Sequence, residues 1–322
     1  MNRKSFWLTI AATVLTIAST TTSLAQAETE NFDSFRDWCT AKDHLPPQAK
    51  HTVEVLLERA ESEDCLEAEG KLSKMSDLDI AYRYVRDLRP LAAFTKLTSL
   101  DLSGNGIVDI TPLANFKSLT TLKLSWNSLE DLTPLTNLTN LSELFLSQNR
   151  IQDLAPLYNL TNLTELYLDS NQVKDLRPLS GLTNLTFLDL MSNEVNSLEG
   201  LSNLTTLTYL VLSLNQIKDL TPLSSLTKLT ELDITQNQIE DLSALSSLTE
   251  LFYLSAESNQ IKDLTPLLNL ASLKAVYLGN NQVQQIPSQL DLEQFNTFCS
   301  AGNPLGETIS ERLFEERRCR FY

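Results

Sequence analysis

The sequence predicts a β-dominated α/β solenoid, a horseshoe of short parallel strands stacked into one curved sheet with tight return segments on its convex side. Three observations carry this. An asparagine recurs every 22 residues without a slip, from Asn105, Asn127, Asn149 and Asn171 through to Asn303. Apolar residues stand five and three positions before each one, with Ser300 the exception, and Ile, Val or Leu stands two positions after it. Each unit is too short to enclose a core of its own, so it must bury its apolar face against its neighbours.

Within one unit, Leu166 and Leu168 alternate with Glu165, Tyr167 and Asp169, the period of a strand buried on one face. About ten such strands at about 4.8 Å each give a sheet roughly 50 Å long. Asn171 follows where the chain must leave the strand. Its carboxamide both donates and accepts, so it can satisfy backbone groups that the turn leaves without partners. Next come Val173, Asp175-Leu176-Arg177-Pro178-Leu179, Leu182 and Leu185, whose spacing of three suits a 3₁₀ or extended return better than an α-helix. Asp87, Asp109, Asp131, Asp153, Asp175, Asp219, Asp241 and Asp263 open these returns. Short carboxylates there are expected to cap the backbone of the next turn, in preference to forming a row of calcium ligands. The unit of Asn193 departs from the pattern, with Ser197 and Gly200 where Asp and Pro are expected.

The frame Leu144-x-Leu146-x-x-Asn149-x-Ile151-x-Asp153-Leu154-x-Pro156-Leu157 resembles the 22-residue leucine-rich repeat of the internalin family of bacterial surface and secreted proteins. The resemblance covers about residues 76–305, or about 10–11 repeats. It implies strands lining a concave side, 3₁₀ segments on the convex side, and protein recognition on the concave face.

The flanks are of different material. Arg3 and Lys4, the apolar run from Phe6 to Ala18 and the small-residue site Ala25-Gln26-Ala27 read as a signal peptide over residues 1–27, cleaved near Ala27, with no membrane span. The chain is therefore expected to be secreted or periplasmic. Loss of the leader takes 25 basic residues to 23 against 41 acidic ones, a net charge of −18. Such a surface repels nucleic acid and suits a basic or neutral partner. Residues 28–75 read as a helical N-terminal cap, with a helix over Thr52–Ala60 after a turn at Pro46-Pro47. Residues 306–322 read as a C-terminal cap with a short closing helix. Cys39 and Cys65 precede the repeats, while Cys299 and Cys319 lie at their far end. Stacked repeats hold the two ends far apart, so the expected disulfides are Cys39–Cys65 and Cys299–Cys319, in an oxidising compartment. These cysteines cannot converge on zinc, and no metal or cofactor is expected.

The candidate site lies among strand residues that alternate with the buried leucines. Trp126, Phe145, Tyr167, Phe187, Met191, Tyr209, Val211 and Leu214 are expected to form one diagonal band rimmed by Glu143, Glu165, Asp169 and Asp189. Exposed aromatics with Met and carboxylates suit a protein or peptide ligand carrying Lys or Arg. The alternative is a carbohydrate-binding module using the same rings as stacking platforms. Catalysis is not expected: no histidine follows His51, and carboxylate pairs such as Glu165 with Asp189 or Glu231 with Asp233 lack a desolvating pocket on an open sheet. A monomer is the favoured state.

Overall fold

The computed structural model describes residues 32–305, and every element lies in the unit that begins at Asp33. The expected leader (1–27), the C-terminal cap (306–322) with its closing helix, and Cys319 lie outside the described residues.

The repeats form one sheet of eleven parallel strands in sequence order among the described residues. The strands are β1 (Asp77–Asp79), β2 (Ser99–Asp101), β3 (Thr121–Lys123), β4 (Glu143–Phe145), β5 (Glu165–Tyr167) and β6 (Phe187–Asp189). They continue with β7 (Tyr209–Val211), β8 (Glu231–Asp233), β9 (Tyr253–Ser255), β10 (Ala275–Tyr277) and β11 (Thr297–Cys299). Every pairing is in register at 22 residues, as in Leu144 beside Leu166 and Leu166 beside Leu188. The middle residue of each strand and its neighbour two positions on face the core. Leu144, Leu146, Leu166, Leu168, Leu188 and Leu190 are all fully buried. Expelling water from these leucines supplies the main favourable term, about 1.5–3 kcal/mol for each buried side chain.

The asparagines lock the stack. Asn171 Oδ1 accepts from the Ile151 backbone N–H at 3.0 Å. Its Nδ2 donates to the Leu146 carbonyl of the preceding repeat and to the Leu168 carbonyl of its own, both at 3.0 Å. The same contacts recur at Asn149, Asn193, Asn215, Asn237, Asn259 and Asn281. The residue before each of these asparagines takes a left-handed backbone, from Gln148 at φ 56° to Asn280 at φ 56°. Non-glycine residues avoid that region, so the conformation repeats because the amide network demands it.

Return segments are short 3₁₀ turns such as Thr133–Leu135, Ala155–Leu157 and Arg177–Gly181. Their aspartates cap as expected: Oδ1 of Asp109, Asp131, Asp153, Asp219 and Asp263 accepts the backbone N–H two residues on at 2.8–2.9 Å. Between β6 and β7 the 3₁₀ turn gives way to a plain turn at Gly200. A Cβ on Gly200, whose φ is 101°, would lie 2.4 Å from the Leu176 carbonyl oxygen. Ser197 replaces the capping carboxylate, accepting from Glu199 N at 3.3 Å. The sheet register continues unbroken through this repeat.

The N-terminal end is covered by α1 (Phe35–Thr40), α2 (Pro47–Ala60) and α3 (Cys65–Leu72). Helix α2 begins five residues before the expected Thr52, because Pro47 occupies its first turn, where the missing N–H costs nothing. The Cys39–Cys65 disulfide joins α1 to α3. Arg83, standing where the first repeat departs from asparagine, ties the cap to the sheet. Its side chain pairs with Glu58, and its carbonyl accepts from His51 Nε2 at 2.6 Å. Among the described residues no repeat precedes it to need an amide bridge.

Asn171→Ala leaves the buried Ile151 N–H and two carbonyls without partners, so urea unfolding is expected to show a loss of about 1–3 kcal/mol. Asn162→Ala, whose amide donates to the exposed Thr139 carbonyl, is expected to cost less than about 1 kcal/mol by the same measurement.

Candidate functional site

Strand residues that do not face the core form a grid on the concave side. Each strand contributes one side chain six positions before its asparagine, one four before and one two before. Because every strand is in register with the next, grid neighbours lie about 4.8 Å apart across the sheet.

Four aromatic rings run together across β4 to β7. Phe145 and Tyr167 stack at 4.4 Å and 11° between ring planes. Tyr167 meets Phe187 at 4.5 Å and 30°, and Phe187 stacks on Tyr209 at 5.0 Å and 19°. The run changes column between Tyr167 and Phe187, the diagonal step expected of the band. Lys123 sits 5.5 Å over the outer face of Phe145 and 3.9 Å from Asp101. Both faces of Tyr167 and Phe187 are occupied by neighbouring rings, so this ladder presents ring edges to solvent. Mutual packing holds Phe145, Tyr167 and Phe187 at intermediate exposure, while Tyr209 at the end of the run is 37% exposed.

The other band members are placed differently. Met191 and Val211 are half-buried neighbours of the ladder. Trp126 and Leu214 are 59% and 41% exposed. They occupy the left-handed turn position, each at φ 59°, at the end of the strand rather than within it. Gln148, Ser170 and Ser192 separate them in that column, so the structure does not bring these two together or into the ring stack. A second aromatic pair, Tyr253 and Tyr277 at 5.5 Å, lies beyond the expected band.

Carboxylates surround the rings. Glu165 Oε2 accepts from the Tyr167 hydroxyl at 3.1 Å. Burial, then this carboxylate, pushes the Tyr167 phenol up to about 12. Glu143 accepts from the Thr121 hydroxyl at 3.3 Å. Asp189 Oδ1 accepts from Met191 N at 2.9 Å, and Asp233 Oδ1 from Thr235 N at 2.9 Å. Asp189 is half-buried. Burial, with Asp169 and Asp233 adding like charge, pushes its carboxyl up to about 6. No group of three or more metal-ligating side chains converges among the described residues. No helix among them is long and apolar enough to cross a membrane.

Sequence reasoning missed two features. The face-to-face stacking depends on rotamers and diagonal neighbours, which a single repeat does not display. Asp233, named above only in a carboxylate pair, was left out of the rim although it matches Asp189 two repeats on in the same column.

Models of the leucine-rich repeat family match residues 95–109, 161–203 and 205–247. An internalin (inlF) from Listeria monocytogenes is 32% identical, with 80% of this chain and 83% of that chain covered at a TM-score of 0.68. Internalin C2 from the same organism is 31% identical, covering 71% of this chain and 92% of that one at a TM-score of 0.54. A leucine-rich repeat protein of Leptospira interrogans shares the fold at 24% identity, covering 79% of this chain and 73% of that one at a TM-score of 0.64. No curated protein matches the chain.

Because Asp189 has a carboxyl raised from 3.8 to about 6, the folded chain holds a proton that the unfolded chain releases. This group therefore adds stability as pH falls from about 6 toward 3.8. Carbon-detected NMR is expected to show one carboxyl titrating near pH 6 that disappears in Asp189→Asn.

Proposed function

This chain belongs to the internalin family of leucine-rich repeat proteins, and on that premise we propose that it is an exported, non-catalytic binding protein whose concave face holds a protein or peptide. The observation that carries the reading is the four-ring ladder Phe145–Tyr167–Phe187–Tyr209 set among Glu143, Glu165, Asp169 and Asp189. A soluble protein has no need to line up four rings on a wet sheet, and large exposed apolar strips rimmed by polar groups mark interaction sites. Rings held by their neighbours lose little conformational freedom when a ligand covers them, which favours affinity. Met191 and Val211 lie half-buried beside the ladder, Trp126 and Leu214 stand exposed at the strand ends, and the carboxylates select for Lys and Arg.

A protein ligand fits the ladder better than a sugar. Carbohydrate stacking needs a free ring face, and the inner rings give theirs to each other. Main-chain and apolar side-chain contacts need only the edges that remain. Export is proposed from residues 1–27, with the Cys39–Cys65 disulfide as support, since such bonds persist in oxidising compartments. A monomer is proposed because one continuous face suffices for a ligand.

Affinity capture with the purified protein is expected to retain a partner that Tyr167→Ala with Phe187→Ala loses. That pair also removes ring stacking, worth about 0.5–1.5 kcal/mol for each contact, so unfolding must be measured alongside. Glu165→Lys provides a variant with the stack kept and the charge reversed. It is expected to weaken capture while leaving the fold intact. Undiminished capture by both folded variants contradicts the proposal.

A further inference from the structure

Val211 lies between two aspartates in its column. The repeats on either side carry Asp189 and Asp233 at its position, each folded back onto the amide two residues on, at Met191 and Thr235. Those two residues flank Ser213, which lies between them in the next column. Leu210 and Leu212 point into the core, so Ser213 continues the concave side of Val211. Its hydroxyl is the one buried side-chain polar atom without a hydrogen-bond partner among the described residues, and the residue is only 4% exposed. Thr235, its neighbour, shares a hydrogen bond with Ser255 at 2.8 Å. Ser213 is left out of that pairing.

A buried hydroxyl without a partner costs free energy, and the two carboxylates on either side of Val211 repel each other. Both penalties are relieved by one donor-rich cation. The carboxylates stand two strands apart, about 10 Å, and each side chain can lean toward the gap over Val211. A guanidinium is planar, permanently charged and carries five N–H donors without an acceptor. It can give two donors to each carboxylate and one to the hydroxyl oxygen. An ammonium has three donors and cannot span the gap. Met191, half-buried and unbranched, forms the movable wall. Tyr209 begins the ring ladder on the other side of Val211, and Asp169 adds its charge from β5's end.

We propose that this gap is an arginine pocket: a guanidinium seats over Val211 between Asp189 and Asp233, with the Ser213 hydroxyl accepting from it. The inference rests on reading the concave face as the recognition surface, and it names the ligand chemistry there. The partner is a peptide or protein segment that places one arginine here and an apolar stretch along the ladder. Seating the cation favours ionised Asp189, so binding releases a proton when pH lies near the carboxyl's raised value.

The test uses the purified full chain and a small probe, N-acetyl-arginine amide, followed by NMR of the Val211 methyls and Ser213. N-acetyl-citrulline amide, of nearly the same shape but uncharged, is the control, and N-acetyl-lysine amide is the competitor. Saturable shifts with arginine are expected, with the lysine probe about tenfold weaker and no response to citrulline. The arginine shifts are expected to vanish in Asp189→Asn with Asp233→Asn, and to weaken several-fold in Ser213→Ala and below about pH 6. Absence of saturable binding overturns the inference, as does an equal response to citrulline or a response unchanged in the double asparagine variant. The two claims fail separately. A captured partner indifferent to Asp189→Asn with Asp233→Asn sinks the pocket and leaves the recognition face standing. Arginine binding that survives Tyr167→Ala with Phe187→Ala supports the pocket even if partner capture never depends on the rings.

Discussion

Each asparagine spans two repeats with a single carboxamide, accepting one backbone N–H and donating to a carbonyl from each side. Strands of three residues are too short to set their own register. A slip by one position would turn every leucine outward. The amide forbids that slip, because its partners lie at fixed offsets of 20, 25 and 3 residues. Leucine burial supplies the driving force, but the buried amides choose which stacking that force produces. The left-handed residue before each asparagine is the strain this arrangement carries, repeated from Trp126 to Asn280.

Function follows from the same restriction. Once leucines are pinned inward, the alternate side chains have no choice but to line one surface at a constant pitch. Evolution of such a face is then a matter of filling grid positions. Here two columns hold aromatic rings that touch from strand to strand, and the intervening positions hold carboxylates. The ladder rigidifies the residues that would meet a ligand, and the acids around it repel one another until a cation arrives. Internalins of known structure share this scaffold.

Most of the scaffold was readable in advance. The 22-residue period exposed the asparagines, the leucines and the capping aspartates, because each must recur wherever the geometry recurs. The helical cap was harder. Helix α2 was visible through its apolar spacing, whereas α1 and α3 span only 6 and 8 residues. Their signals were present in the capping box of Ser34 with Asp37 and in the N-cap Asp64, but short helices leave little periodicity to read. On the concave face the residue identities were readable and their contacts were not. Whether Tyr167 leans toward Phe145, Phe187 or solvent depends on rotamers. Trp126 and Leu214 read as strand residues, yet the left-handed turn carries them to the rim. Ser213 gave no signal at all, since serine is unremarked until its hydroxyl is found buried without a partner.

In the proposed mode of binding, register-fixed concave side chains, and not the convex returns, meet the ligand. Oxidative side-chain footprinting of the protein with and without its captured partner tests this most directly. Protection of Tyr167, Phe187, Tyr209 and Met191 is expected, with Tyr158 on the convex side, 55% exposed, labelled equally in both states. Protection of Tyr158 with unchanged labelling of the ladder would contradict it.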